Sequence, residues 1–237
     1  MAEFKIALGA GHGMDTGGKR CMKELDPRET REWWLNDRIC DLVESGLKEY
    51  EGYSLLRLDD SDDGEDDVAL ETRTKKANAW GAEFYLSVHH NAGVKGGKGG
   101  GIVAITHPQS SKASVEWRDA LYDALIAETG LKGNRASPKT TSNLWVLRET
   151  KMPAVLLELG FMDSSTDVPI ILSDAYAQGC ARAIVKVLAE RGKLKKKAVA
   201  NDALYRVQMG AFGNKENAEK LRKELEAKGY QSYITKV

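Results

Sequence analysis

The chain has 237 residues, 42% of them apolar, enough for one full-sized domain and a small one. Its 35 basic and 35 acidic residues cancel, and no apolar run approaches the roughly 20 residues needed to span a bilayer; neither membrane insertion nor a nucleic-acid partner is expected. Three cysteines at irregular spacing, with no CxxC, exclude a disulfide framework and a thiolate zinc site.

The zero net charge hides an asymmetry. From Arg191 onward there are 12 basic and 5 acidic residues, a net of +7, so residues 1–190 carry −7. This pattern predicts a main body with a basic tail that meets an anionic surface. The start, MAEFKIALGAGHG, lacks a basic region followed by an apolar signal core. Synthesis in the cytoplasm without a signal peptide is the expectation.

In chain order, Phe4–Leu8 reads as a short buried strand that ends in the loop Gly9–Gly13. Thr30–Tyr50 reads as a helix, with Leu35, Ile39, Leu42, Val43 and Leu47 on one stripe. Tyr53–Leu58 is a strand closed by the acidic turn DDSDDGEDD, and Val68–Trp80 is a second helix. Phe84–His89 and Ile102–Thr106 are strands around the glycine-rich loop Gly93–Gly101, which is expected to border a groove. Ser114–Thr129 is a helix, Leu144–Leu147 a short strand, Ala154–Glu158 a buried strand and Ala175–Arg191 a closing helix. Strands alternating with helices predict an α/β fold with a mostly parallel sheet covered on both faces. Arg191–Ala203 is a basic linker. A βαβ unit follows, from strand YRVQMGAF through helix Asn214–Lys228 to strand YQSYITKV.

The chain has four histidines, and two sites stand out: G-A-G-H-G at His12, and S-V-H-H-N-A at His89 and His90. Both lie at predicted strand ends, where open α/β sheets form their sites. A catalytic zinc takes three protein ligands and keeps one open position. Two histidines and a carboxylate would serve, with Glu24, Glu29 and Glu32 as candidates near the first helix. His89 and His90 point oppositely while the strand lasts, so only one is a ligand, and periodicity alone does not choose. Glu158 ends the apolar run AVLLELGF, where a carboxylate is costly unless paired or functional. At the mouth of a zinc site it could move a proton between water and a leaving nitrogen.

Four segments stand in order: GAGHGMDTGG, REWWLN, FYLSVHHNA and VLRETKMPAVLLELGFMDS. Together they resemble the zinc-dependent N-acetylmuramoyl-L-alanine amidases of the amidase-3 type, found in bacterial autolysins and phage endolysins. The resemblance spans roughly residues 3–190 and implies a twisted sheet of about six strands flanked by helices. It implies His12, Glu32 and His89 as ligands of one Zn2+, with His89 taken rather than His90, and Glu158 as the catalytic acid/base. LETRTKKAN fits as well, with Arg73 and Asn78 in the usual places. Two stretches depart from the pattern. KRCMKELDPRET, before Glu32, is longer and more charged, which keeps Glu29 open as an alternative ligand one helical turn away. The arginine–glycine pair appears only loosely at Asn134–Arg135 and receives no role.

The implied reaction is hydrolysis of the amide between N-acetylmuramic acid and L-alanine of the peptidoglycan stem peptide. The alternative is a zinc peptidase cutting within that peptide. Action on the wall would follow release by a holin or by lysis. The domains expected are residues 1–190, a linker 191–203, and a tail 204–237 that resembles half of a SPOR module, a binder of glycan strands. A unit of about 33 residues is small to stand alone. Two copies are therefore expected to pair Tyr205–Met209 antiparallel across a twofold axis, giving a homodimer.

Overall fold

The computed structural model describes residues 3–59, 66–198, 208–230 and 232–235. They form two compact units, residues 1–197 and 198–237.

The first unit begins with β1 (Phe4–Ala10), α1 (Glu32–Leu47), β2 (Tyr50–Glu51), β3 (Tyr53–Arg57) and α2 (Leu70–Trp80). It continues through β4 (Phe84–Asn91), β5 (Ile102–Thr106), α3 (Lys112–Thr129), β6 (Lys139–Thr141) and α4 (Trp145–Arg148). It closes with β7 (Ala154–Phe161), α5 (Val168–Ile171), α6 (Asp174–Arg191) and β8 (Lys195–Lys196). Six strands make one sheet in the order β3-β1-β4-β7-β5-β6. All neighbours are parallel except β5 and β7. The central strands are apolar almost throughout because both their faces are covered. One core cluster joins the sheet to α1, α3 and α6, and a second joins it to α2 and α4.

Short polar residues set the helix ends. Ser111 and Ser173 accept the backbone N–H groups of Ser114 and Tyr176 at the starts of α3 and α6. On the α1–α3–α6 face, Trp117 stacks on Phe84 with ring centroids 3.9 Å apart and on Phe4 at 6.0 Å. The Arg191 guanidinium lies 5.0 Å from the Trp117 ring. This stack ties β1 and the end of α6 to β4 in the sheet's middle.

Several boundaries differ from the sequence reading. The first helix begins at Glu32 rather than Thr30. The chain before it folds back on itself, with an Arg20–Arg31 bridge and a Cys21 N–H donating to Thr30 O at 2.8 Å, so Thr30 and Arg31 are held outside the helix. Leu144–Leu147 is not a strand. The Leu147 and Arg148 N–H groups both donate to Leu144 O, forming α4, and four apolar-rich residues are too few for periodicity to tell the two apart. The edge strand β6, in the polar run KTT, gave no apolar signal. The head of the basic segment is tied down: Lys195 and Lys196 pair antiparallel with Glu51 and Tyr50, and Lys196 Nζ lies 3.2 Å from Glu49.

In the second unit, α7 (Lys215–Ala227) is capped by Asn214, whose side chain accepts from Glu216 N at 2.7 Å. Of the two expected flanking strands, Tyr205–Val207 lies outside the described residues, and so does most of the proposed Tyr205–Met209 pairing segment. Gln208–Phe212 and Ser232–Thr235 are described and carry no strand.

Trp117→Ala should remove the aromatic stack and lower stability in urea unfolding by about 3–5 kcal/mol. A change well below that would mean the stack does not anchor the fold.

Candidate metal centre

Parallel pairing of β1 with β4 brings their carboxyl ends together, with Ala10 opposite Val88. The chain leaves β1 through Gly11, and His12 adopts φ +68°, a region uncommon for a residue with a side chain. Gly11 has a specific packing reason: a Cβ there would overlap the His89 ring. At Gly13 a Cβ would overlap the backbone of Asp66 and Asp67. These glycines let the loop lie flat against its neighbours and aim the His12 ring at His89. The two imidazoles meet edge to face, with centroids 5.0 Å apart.

Glu32, the first residue of α1, sits between them with 1% of its side chain exposed. Its Oε1 lies 3.2 Å from His89 Nδ1 and 3.4 Å from His12 Nε2, and it accepts the His90 backbone N–H at 3.2 Å. One ligand-type atom from each of His12, Glu32 and His89 lies within 4.8 Å of the others. His89 Nε2 is 3.1 Å from Ser87 Oγ. His89 Nδ1 faces Glu32 in this structure; with an ion in the cluster, a proton on Nε2 donated to Ser87 would leave the Nδ1 lone pair for that ion. Ser87 was not singled out from the sequence, although its position two residues before His89 puts both on one strand face. Lys19 Nζ, 3.8 Å from Glu32 Oε2, was missed as well, because only the fold-back of residues 19–31 brings it near.

Burial holds the His12 imidazole down at about 4 against the opposing Glu32 and Asp67 charges, with His89 and Lys19 adding to the lowering, so the ring is neutral. Burial acts to raise the Glu32 carboxyl, but the His89 hydrogen bond and the charges of His89, His12 and Lys19 outweigh it and hold it at about 2. These are the protonation states that a divalent cation requires of imidazole and carboxylate ligands. Glu32 Oε2 is buried without a hydrogen-bond partner. Two imidazole nitrogens and one carboxylate, all buried or nearly so, fit a three-ligand ion site with an open position.

Glu158 stands directly across from His89 in the β4–β7 register. Its Oε2 is buried and unpartnered. Burial pushes its carboxyl up to about 7, assisted by the nearby Glu32 charge and opposed by His89 and Lys19. His90 points the other way, into the core, where burial holds it down at about 3. Glu29 precedes α1 at φ +49° and pairs with Arg20 at 3.2 Å, while Glu24 is exposed; neither is among the residues gathered at the cluster.

The glycine-rich loop follows β4 and is pinned rather than slack. Asp163 accepts the Gly93 and Lys95 N–H groups at 2.8 and 2.7 Å, and Asp167 accepts those of Gly101 and Phe161 at 2.7 and 3.0 Å. Asn134, left without a role by the sequence, accepts the Gly100 N–H at 3.1 Å, and Arg135 stacks over Phe161 at 4.4 Å.

The fold and this cluster define an α/β protein with a candidate three-ligand metal centre at the carboxyl edge of its sheet. The chain belongs to the N-acetylmuramoyl-L-alanine amidase family, whose profile matches residues 6–190. The SPOR domain profile matches residues 181–237, beginning inside α6. The chain is 37% identical over 231 residues to N-acetylmuramoyl-L-alanine amidase CwlM of Bacillus licheniformis, covering 97% of this chain and 84% of that protein. It is 36% identical over 186 residues to the sporulation-specific N-acetylmuramoyl-L-alanine amidase of Bacillus subtilis (strain 168), covering 78% of this chain and 68% of that one. The catalytic domain of CwlV, an N-acetylmuramoyl-L-alanine amidase from Bacillus (Paenibacillus) polymyxa var. colistinus, shares the fold with a TM-score of 0.70 at 24% identity. That likeness covers 82% of this chain and 100% of that structure.

Gly11→Ala should displace the His89 ring and weaken metal uptake by about 10–100-fold in chelator competition, the scale of losses seen when ligand orientation is disturbed. Unchanged affinity would show that the loop tolerates a Cβ and does not set the cluster.

Proposed function

We propose that the chain is a zinc-dependent peptidoglycan amidase. Its substrate bond is the amide joining the lactyl group of N-acetylmuramic acid to L-alanine of the stem peptide. The observation that carries this reading is the His12–Glu32–His89 cluster with the buried Glu158 carboxyl beside it. Membership of the amidase family supplies the substrate class.

His12, Glu32 and His89 would hold the ion. Bound there, zinc supplies a Lewis acid that polarises the scissile carbonyl and acidifies water. Glu158 handles the proton. A carboxyl held near 7 divides between its two forms at neutral pH, the condition for efficient general acid–base work. As the carboxylate it takes a proton from the attacking water while the new C–O bond forms. As the acid it returns that proton to the departing nitrogen as the C–N bond breaks. Ser87 keeps the His89 tautomer correct. The pinned Gly93–Gly101 loop forms a fixed rim at which the glycan and peptide can be oriented.

The tail delivers the enzyme to the wall, a role supported by the SPOR match and the net +7 from Arg191 onward. No helix among the described residues is long and apolar enough to cross a membrane, and we place the action at the wall after release from the producing cell. We also propose that two chains associate through the second unit, where Met209, Phe212, Tyr230, Tyr233 and Ile234 are 42–76% exposed.

His12→Ala and His89→Ala should lose bound zinc and activity together. Glu158→Gln should keep zinc and lose about 10²–10⁴ in turnover. Digestion of purified peptidoglycan should release new L-alanine amino termini and leave glycan chains intact. New termini within the stem peptide would instead indicate a peptidase, and a fully active Glu158→Gln would remove Glu158 from the chemistry. For the tail, light scattering should give a dimer that Phe212→Ser with Tyr233→Ser converts to a monomer. A monomeric parent would refute the association.

A further inference from the structure

Three consecutive carbonyl groups of the His12 loop are occupied, and the side chains that occupy them come from opposite faces of the sheet. From α2, the buried Arg73 donates Nη1–H to Ala10 O at 2.5 Å and Nη2–H to His12 O at 3.0 Å. Its Nε–H is fixed by Val68 O at 2.7 Å, so the fork cannot swing. From α1, the fully buried Asn36 donates Nδ2–H to Gly11 O at 3.1 Å.

The other end of the Asn36 amide reaches β4. Its Oδ1 lies 2.8 Å from His90 Nδ1. An amide oxygen only accepts, so the His90 proton sits on Nδ1. The His90 backbone N–H in turn donates to Glu32 Oε1 at 3.2 Å. Asn36 lies four residues after Glu32, one turn along the same helix face. A single helix therefore carries one candidate ligand and an amide that ties the loop bearing His12 to the strand end bearing His89. These bonds grip the loop on both sides of His12, which sits at φ +68°, a region uncommon for a residue with a side chain.

We propose that Asn36, opposed by Arg73, is the positioning residue that presets the His12–Glu32–His89 triangle, and that His90 serves as the hydrogen-bond partner of Asn36. This rests on the zinc reading above. The adjacent histidines thus divide the work: His89 faces the ion, and His90 fixes the frame that aims it. Partners of this kind around metal ligands typically govern affinity by about 10–100-fold.

The test uses the full chain, with zinc affinity from competition with a chromophoric chelator and the visible spectrum of the cobalt-substituted protein. Asn36→Leu keeps the branching and heavy-atom count of the side chain and removes both bonds. It should weaken zinc binding by about 10–100-fold and alter the cobalt spectrum. His90→Phe should do the same. His90→Asn, whose side-chain N–H sits close to the position of Nδ1, should restore affinity and spectrum. If Asn36→Leu fails to fold, the contrast between His90→Phe and His90→Asn decides the matter. Variants that bind zinc as tightly as the parent, with an unchanged spectrum, overturn the inference alone. A parent that binds no zinc overturns the zinc reading and this inference with it.

Discussion

A carboxylate sealed at the start of a helix has to be compensated, and much of this molecule is arranged around that requirement at Glu32. Its side chain is 1% exposed, yet surrounding groups hold it ionised. Desolvation alone would make that state costly by several kcal/mol. The compensation comes from the His90 backbone N–H, the two imidazoles and the more distant Lys19. With the His12 ring neutral, the Glu32 negative charge is incompletely offset, a field that favours a cation under the zinc reading proposed above.

That arrangement exists only because three elements end at one place. Parallel pairing of β1, β4 and β7 aligns their carboxyl ends, so residues far apart in sequence become neighbours. The register is exacting. His89 pairs with Glu158, and a slip of one residue would exchange His89 for His90 at the cluster and turn Glu158 into the core. The apolar sets on β4 and β7 resist such a slip, since it would expose Leu86, Val88, Val155 and Leu157 to the wrong layer. Core packing and the candidate chemistry are thus specified by the same alternation.

Much of this was legible in the sequence. Long stripes such as Leu35, Ile39 and Val43 gave helices, and uninterrupted runs such as AVLLELGF gave central strands. The motifs around His12, Glu32, His89 and Glu158 named the residues that the fold gathers. What escaped the reading depended on contacts between distant segments. The start of α1 is set by the fold-back of residues 19–31, which also separates Glu29 from the cluster. The helical turn at Trp145–Arg148 is too short to announce its period. The pairing of Lys195–Lys196 with Tyr50–Glu51 is a backbone event that a basic composition conceals. Asn36 carries no local signal for its contacts, because its partners lie on other segments, whereas the Ser87–His89 contact within β4 was open to the two-residue strand period and went unread.

The central claim is that His12, Glu32 and His89 bind one zinc ion beside Glu158. Anomalous diffraction from crystals of the full chain with zinc, measured on both sides of the zinc absorption edge, addresses it directly. The expected result is a single anomalous peak about 2.0–2.2 Å from a ligand atom of each of the three residues. A peak held by other side chains, or no peak at this position, would contradict the account.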